Sequence, residues 1–126
     1  MTKETIIPAN VHQARGYSHA VKVGNVIYVS GQVGIGEDNK VAAGGFEAQA
    51  KQALENLKRV LEASGASFKD VVKTNTYVTT MEFMSAYREV RRSYFGDYYP
   101  ASTLIQVAGL ALPEFLIEIE AVAIVE

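Results

Sequence analysis

Cysteine is absent from this chain of 126 residues, and with it go disulfides, thiolate metal sites and a cysteine nucleophile. His12 and His19 are the only histidines, and no Asp/Glu/His cluster has metal spacing, so hydrogen-bonded or surface roles suit them better than ligation. Positive charge is not in excess: 12 Lys and Arg stand against 14 Asp and Glu, and the basic residues are scattered. A formal charge of −2 gives no electrostatic case for nucleic acid. No signal peptide, transit sequence or long apolar run is present, so no membrane partner is expected and the cytoplasm is the default location. Linkers, repeats and low-complexity tracts are missing too. Residues 1–126 therefore read as one globular domain, with 48% hydrophobic residues to build a core.

What is present begins at the end of the chain. The run Leu116-Ile117-Glu118-Ile119-Glu120-Ala121-Val122-Ala123-Ile124 places two carboxylates in an apolar strand. Alternation points Glu118 and Glu120 to one face, with Leu116, Val122 and Ile124, while Ile117, Ile119, Ala121 and Ala123 line the other. A carboxylate buried there without a partner has its pKa raised towards the range useful for proton transfer; an exposed edge strand or a structural ion pair is the alternative.

Upstream, Thr5-Ile6-Ile7 suggests a short strand before Pro8, and Ser18–Val23 and Val26–Ser30 form a hairpin through Gly24-Asn25. Gly36–Lys40 is a polar turn. Gly31, Gly34 and Gly36 are spaced for turns and do not form a phosphate loop, because no helix start follows at the required position. From about Gly45 the period becomes helical, with Phe46, Ala50, Ala53, Leu54, Leu57, Val60 and Leu61 on one stripe and Gly65 as the residue after the helix end. Asp70–Thr79 alternates as a strand, and Phe83, Tyr87, Val90 and Tyr94 mark a second helix, with Pro100 barring its continuation. Ser102–Val107 and Leu116–Val125 complete the strands. This order implies an α+β fold with two helices on one face of a mixed sheet. Two helices cover only one face, yet the strands are apolar on both, so a homo-oligomer packed sheet against sheet is expected.

The segments Gly16-Tyr17-Ser18-His19-Ala20-Val21, Tyr28-Val29-Ser30-Gly31-Gln32, Glu55-Asn56-Leu57, Asp70-Val71-Val72-Lys73, Pro100-Ala101-Ser102 and Ile117-Glu118-Ile119-Glu120-Ala121 closely resemble the reactive intermediate deaminase family, RidA or YjgF. The resemblance runs in register over nearly the whole chain. It implies a chorismate-mutase-like fold of the bacillary type, with a mixed six-stranded sheet, and a homotrimer whose sheets form a central barrel with small-molecule clefts between subunits. In the best-known branch, an imine or enamine is hydrolysed to a 2-oxo acid and ammonia without metal or organic cofactor. By the same resemblance Tyr17 and Ser30 supply wall and hydrogen bonds, the region of Leu104 a backbone donor, and Glu118 the catalytic carboxyl. Glu120 is expected to pair with a cation or backbone donor.

One position departs from that pattern with chemical consequence. The deaminating branch has an arginine after Pro-Ala, where this chain has Ser102. An arginine clamps a carboxylate with two charge-assisted bonds and a serine offers one neutral donor, a difference of about 2 to 5 kcal/mol in a desolvated site. Arg88 stands where that branch usually has an asparagine near the cleft, and either returns a cation to the pocket or belongs to a solvated face with Arg91 and Arg92. Tyr94, Phe95, Tyr98 and Tyr99 wall a cleft or serve core and subunit contacts. Ser30 has no neighbouring His or Lys and reads as a hydrogen-bond donor rather than a nucleophile. Three functions follow: an imine or enamine deaminase acting outside the standard 2-imino acid reaction, a non-catalytic metabolite-binding trimer, or a protein-level role. An acidic chain without a basic groove argues against the ribonuclease label carried by some relatives.

Overall fold

A computed structural model describes residues 2–126. Six strands form one sheet: β1 (Lys3–Ile6), β2 (Ala20–Val23), β3 (Val26–Val33), β4 (Val71–Val78), β5 (Ala101–Gln106) and β6 (Ile117–Ile124). Their spatial order is β1-β2-β3-β6-β4-β5, antiparallel throughout except for the parallel pair β4–β5, so the mixed sheet is as predicted. Helices α1 (Gly45–Ala63) and α2 (Met84–Phe95) complete the fold.

The apolar stripe of α1 explains its placement. Ala50, Ala53, Leu54, Leu57, Val60 and Leu61 are fully buried against Ile27, Ile117, Ile119 and Ala123, the inward residues of β3 and β6. Truncating one of the leucines to alanine costs about 2–5 kcal/mol in such a core. The helix ends where Gly65 adopts φ +82, a conformation that a glycine takes without Cβ strain. There Gly65 N–H donates to the Glu62 carbonyl (3.1 Å) and Ala66 N–H to the Leu61 carbonyl (2.8 Å). The second helix stops sooner than Pro100 requires, at Gly96, whose φ of 61 breaks the helix directly. Phe83 belongs to a 3₁₀ turn before α2, and the sequence from Phe68 to Asp70 forms another before β4. Ser18 and His19 lie before β2: the Ser18 carbonyl accepts from the Ser30 hydroxyl, and the His19 carbonyl accepts one backbone bond from Ser30 N–H (2.9 Å) while its ring donates to the His12 carbonyl.

Strand parity decides which side chains share a face. On β6, Ile117, Ile119, Ala121 and Ala123 are buried under the helices, while Glu118, Glu120 and Val122 are partly open. Tyr28 (54% exposed), Ile105 (43%) and Ile124 (38%) lie on this second face, which neither helix covers. Ser102 and Leu104 pair with the buried Thr74 and Thr76 and so face the helices. A register shift between Val29 and Gln32 makes a bulge in β3 at Gly31. Among the described residues no helix is long and apolar enough to cross a membrane.

Candidate functional site

At the centre of the open face, Glu118 pairs in register with Val33 and Tyr77, and Glu120 with Asn75. The two carboxylates have different surroundings. Glu120 Oε1 accepts hydrogen bonds from the Tyr77 hydroxyl (2.5 Å) and Asn75 Nδ2 (3.0 Å). These are neutral side-chain donors; the cation or backbone donor expected from the sequence is not what holds it. No such donor reaches Glu118 among the described residues. Burial, and then the nearby charge of Glu120, push the Glu118 carboxyl above its usual range.

The missing side chain of Gly31 makes room for that carboxyl. A Cβ at Gly31 would stand 2.5 Å from Cδ and 2.8 Å from Cγ of Glu118. Tyr17, Ser30, Gly31, Glu118 and Glu120 thus line one open cleft of about 780 Å³, which Arg15 and Phe115 also border. Burial, and then the charge of Glu118, raise the Tyr17 phenol pKa, so its hydroxyl keeps its proton. Ser30 does not aim its proton into the cleft: its hydroxyl donates to the Ser18 carbonyl (2.5 Å), leaving the oxygen to accept.

Behind Tyr17 lies a buried polar cluster. The Tyr17 hydroxyl is 3.4 Å from His12 Nε2. His19 Nε2–H donates to the His12 carbonyl (2.7 Å), which leaves its Nδ1 to accept from Gln32 Nε2 (3.1 Å). Both histidines are more than nine-tenths buried. Burial, and then His19, lower the His12 pKa and keep that ring neutral. Among the described residues no three His, Asp or Glu side chains gather as metal ligands do.

The other expected residues lie elsewhere. Arg88, Ser102 and Leu104 border a second cleft of about 560 Å³, with Arg91, Arg92 and Tyr99. This cleft is on the helix side of the edge strand β5, whereas Glu118 is on the open face, so a single chain does not bring the two groups together. The aromatic cluster also divides. Phe95 is core, the Tyr98 hydroxyl donates to the Val71 carbonyl (2.5 Å), the Tyr94 hydroxyl donates to the Lys51 carbonyl (3.3 Å), and Tyr99 walls the second cleft. Sequence reasoning missed Gly31, Tyr77 and Asn75 as supports of the carboxylates. The ladder register that joins Tyr77 and Asn75 to β6 leaves no local signal. Gly31, read from the sequence as a turn glycine after a strand ending at Ser30, lies inside β3, which runs on to Val33, and a glycine within a strand marks a bulge or a close approach.

Comparison with known proteins places this geometry. Residues 8–125 match the family model described as Endoribonuclease L-PSP. The chain belongs to the RidA/YjgF/L-PSP family. It is 42% identical to the human protein named 2-iminobutanoate/2-iminopropanoate deaminase, over 86% of this chain and 79% of that one. Among solved structures it superposes on a putative endoribonuclease of Thermotoga maritima with a TM-score of 0.95, 41% identity and 99% of each chain covered. RidA of an Antarctic Psychrobacter is similar at a TM-score of 0.92 and 38% identity, covering 97% of this chain and 99% of that one. The α+β architecture with a mixed six-stranded sheet and two helices is thus that of the RidA family.

Proposed function

We propose that this RidA family chain hydrolyses a small imine or enamine in clefts formed between the subunits of a homotrimer. The observation that carries the reading is Glu118: a partly buried carboxyl without a donor, raised in pKa, in a cleft with the Tyr17 hydroxyl. Deaminases among the relatives support the reaction class. Glu118 in its ionised form takes a proton from water as the water oxygen bonds to the imine carbon, and passes it to the nitrogen, which receives the C=N π electrons, so that a carbinolamine forms. The carboxylate then takes the carbinolamine hydroxyl proton and gives it to the amino nitrogen; the C–N bond breaks, ammonia leaves, a carbonyl remains and Glu118 is again ionised. Water and an imine become a carbonyl compound and ammonia, with no redox change. Tyr17 and the Ser30 oxygen orient the reacting atoms.

The proposed assembly would complete the site. Tyr28, Ile105 and Ile124 are exposed on the same open face as Glu118; a second copy packed there would bury them and, in the proposed trimer, bring the Ser102 cleft of one subunit towards the Glu118 cleft of the next. The resemblance puts an arginine at position 102 in the deaminating branch. With Ser102 instead, the proposed substrate does not rely on the usual single-arginine clamp on its carboxylate. The test is a coupled assay with enzymatically generated 2-iminobutanoate. Hydrolysis is expected near the uncatalysed rate for the unmodified chain, and above it for Ser102→Arg. Full turnover without the substitution would overturn this assignment of Ser102. A non-catalytic metabolite-binding role in the same cleft is the second reading, favoured by the altered residue 102; it predicts that no imine is turned over by either protein.

A further inference from the structure

The second cleft has a charge pattern that the proposed reaction does not use. Arg88, Arg91 and Arg92 stand at i, i+3 and i+4 of α2, so one helix face presents all three guanidinium groups to this cleft. No Asp or Glu lines it. Among the described residues the ion pairs are Lys51–Glu47 and Arg59–Glu55, both on α1, and no carboxylate lies within 4.0 Å of the three arginines. The contrast is informative: α1 neutralises cations by acids four residues away, whereas α2 gathers like charges that repel one another. Arg91 also lies against aromatic rings, its guanidinium carbon 4.7 Å from the Phe95 ring centre and 5.5 Å from that of Tyr99. Ser102 adds a hydroxyl to the same cleft, at the free edge of the sheet.

We propose that Arg88, Arg91, Arg92 and Ser102 form a binding site for the phosphate group of a small molecule. Three guanidinium forks present more donors than the two oxygens of a carboxylate accept, and match a phosphate with three terminal oxygens and about −1.5 to −2 charges. Resting on the deaminase reading above, the inference names the substrate class: a phosphate-bearing imine or enamine, anchored by α2 while Glu118 of the partner subunit acts on its other end. A nucleic acid fits less well, because the net charge is −2 and the arginines are confined to one concavity.

Calorimetric titration of the intact protein with inorganic phosphate, at fixed ionic strength, tests the site. Saturable binding with one phosphate per chain is expected, at least tenfold tighter than acetate. Arg88→Gln and Arg92→Gln are each expected to weaken it tenfold or more without changing the melting temperature, since both side chains are exposed. Equal affinities for phosphate and acetate, binding unaffected by both variants, or tighter binding of a single-stranded RNA oligonucleotide that phosphate does not displace would each overturn the proposal. The outcomes also separate it from the reaction. Imine turnover that depends on Glu118 in a protein that binds no phosphate rejects the site alone; phosphate binding without Glu118-dependent turnover rejects the reaction and keeps the site.

Discussion

Replacing Gly31 by alanine adds one methyl group at the β3 bulge, directly beside the carboxyl of Glu118. The new Cβ would lie 2.5 Å from Glu118 Cδ, and ordinary contact begins at 3.4 Å, so carboxyl or strand must retreat by about 1 Å. The backbone at Gly31 is not in the left-handed region, so the effect is steric and not conformational. Overpacking of this kind costs about 1–3 kcal/mol, and each kcal/mol lowers Tm by roughly 3–6 °C in a chain of this size. A displacement of about 1 Å in a reacting group costs on the order of 100-fold in turnover. Carbon-13 NMR titration of the Glu118 carboxyl follows the same event: driven towards solvent, it is expected to lose part of its upward pKa shift. Gly109→Ala is the matched control, since a Cβ there meets nothing within 4 Å and its φ is ordinary. If Gly31→Ala matches Gly109→Ala in Tm and leaves the Glu118 titration unmoved, the close packing of Gly31 on Glu118 is refuted.

Glu118→Gln is expected to lower turnover of an imine substrate by about 100-fold or more while raising Tm at pH 7. The sign follows from linkage: folded Glu118 holds its proton more tightly than the unfolded chain does, so its contribution is complete at low pH and is lost as pH rises through the folded pKa. The Tm difference should therefore vanish towards pH 4, and a variant less stable than the parent at pH 7 contradicts the assignment. His12 has the opposite sign, a lowered pKa, so its contribution is present above about pH 6.5 and is lost on acidification. A flatter Tm profile between pH 6.5 and 5 is expected for His12→Gln; an unchanged acid limb argues against a buried neutral ring. Sedimentation at micromolar concentration should give a trimer, and Ile105→Asp, which puts a charge on the open face, should give monomers; a parent chain that already sediments as a monomer removes the inter-subunit cleft.

Much of the fold was legible because its signals are local and periodic. The stripe from Phe46 to Leu61 is a helical face, and every residue on it is buried in α1, together with the polar Gln49 and Asn56 that the stripe did not include. Alternation along β6 correctly divided Glu118 and Glu120 from Ile117 and Ile119, since parity follows from strand geometry alone. Boundaries were less secure: Gly96 ends α2 before Pro100, because a left-handed glycine interrupts a helix without needing a proline. The sequence alone thus settled the helices and strands, the division of β6 into two faces, and family membership carried by several motifs in register.

Tertiary structure decided what depends on distance across the sheet. Tyr77 and Asn75 reach Glu120 from more than 40 residues away, through the β4–β6 register, which no local pattern specifies. The bulge at Gly31 opened space for Glu118, and the Ser18 carbonyl claimed the Ser30 proton. Most consequentially, the parallel pairing of β4 with β5 turned Ser102 and Leu104 to the helices and away from Glu118, so residues that the sequence grouped as one site occupy two clefts. Side-chain chemistry is written residue by residue, but proximity arises only when strands choose partners and register, and a shift of one residue exchanges the two faces.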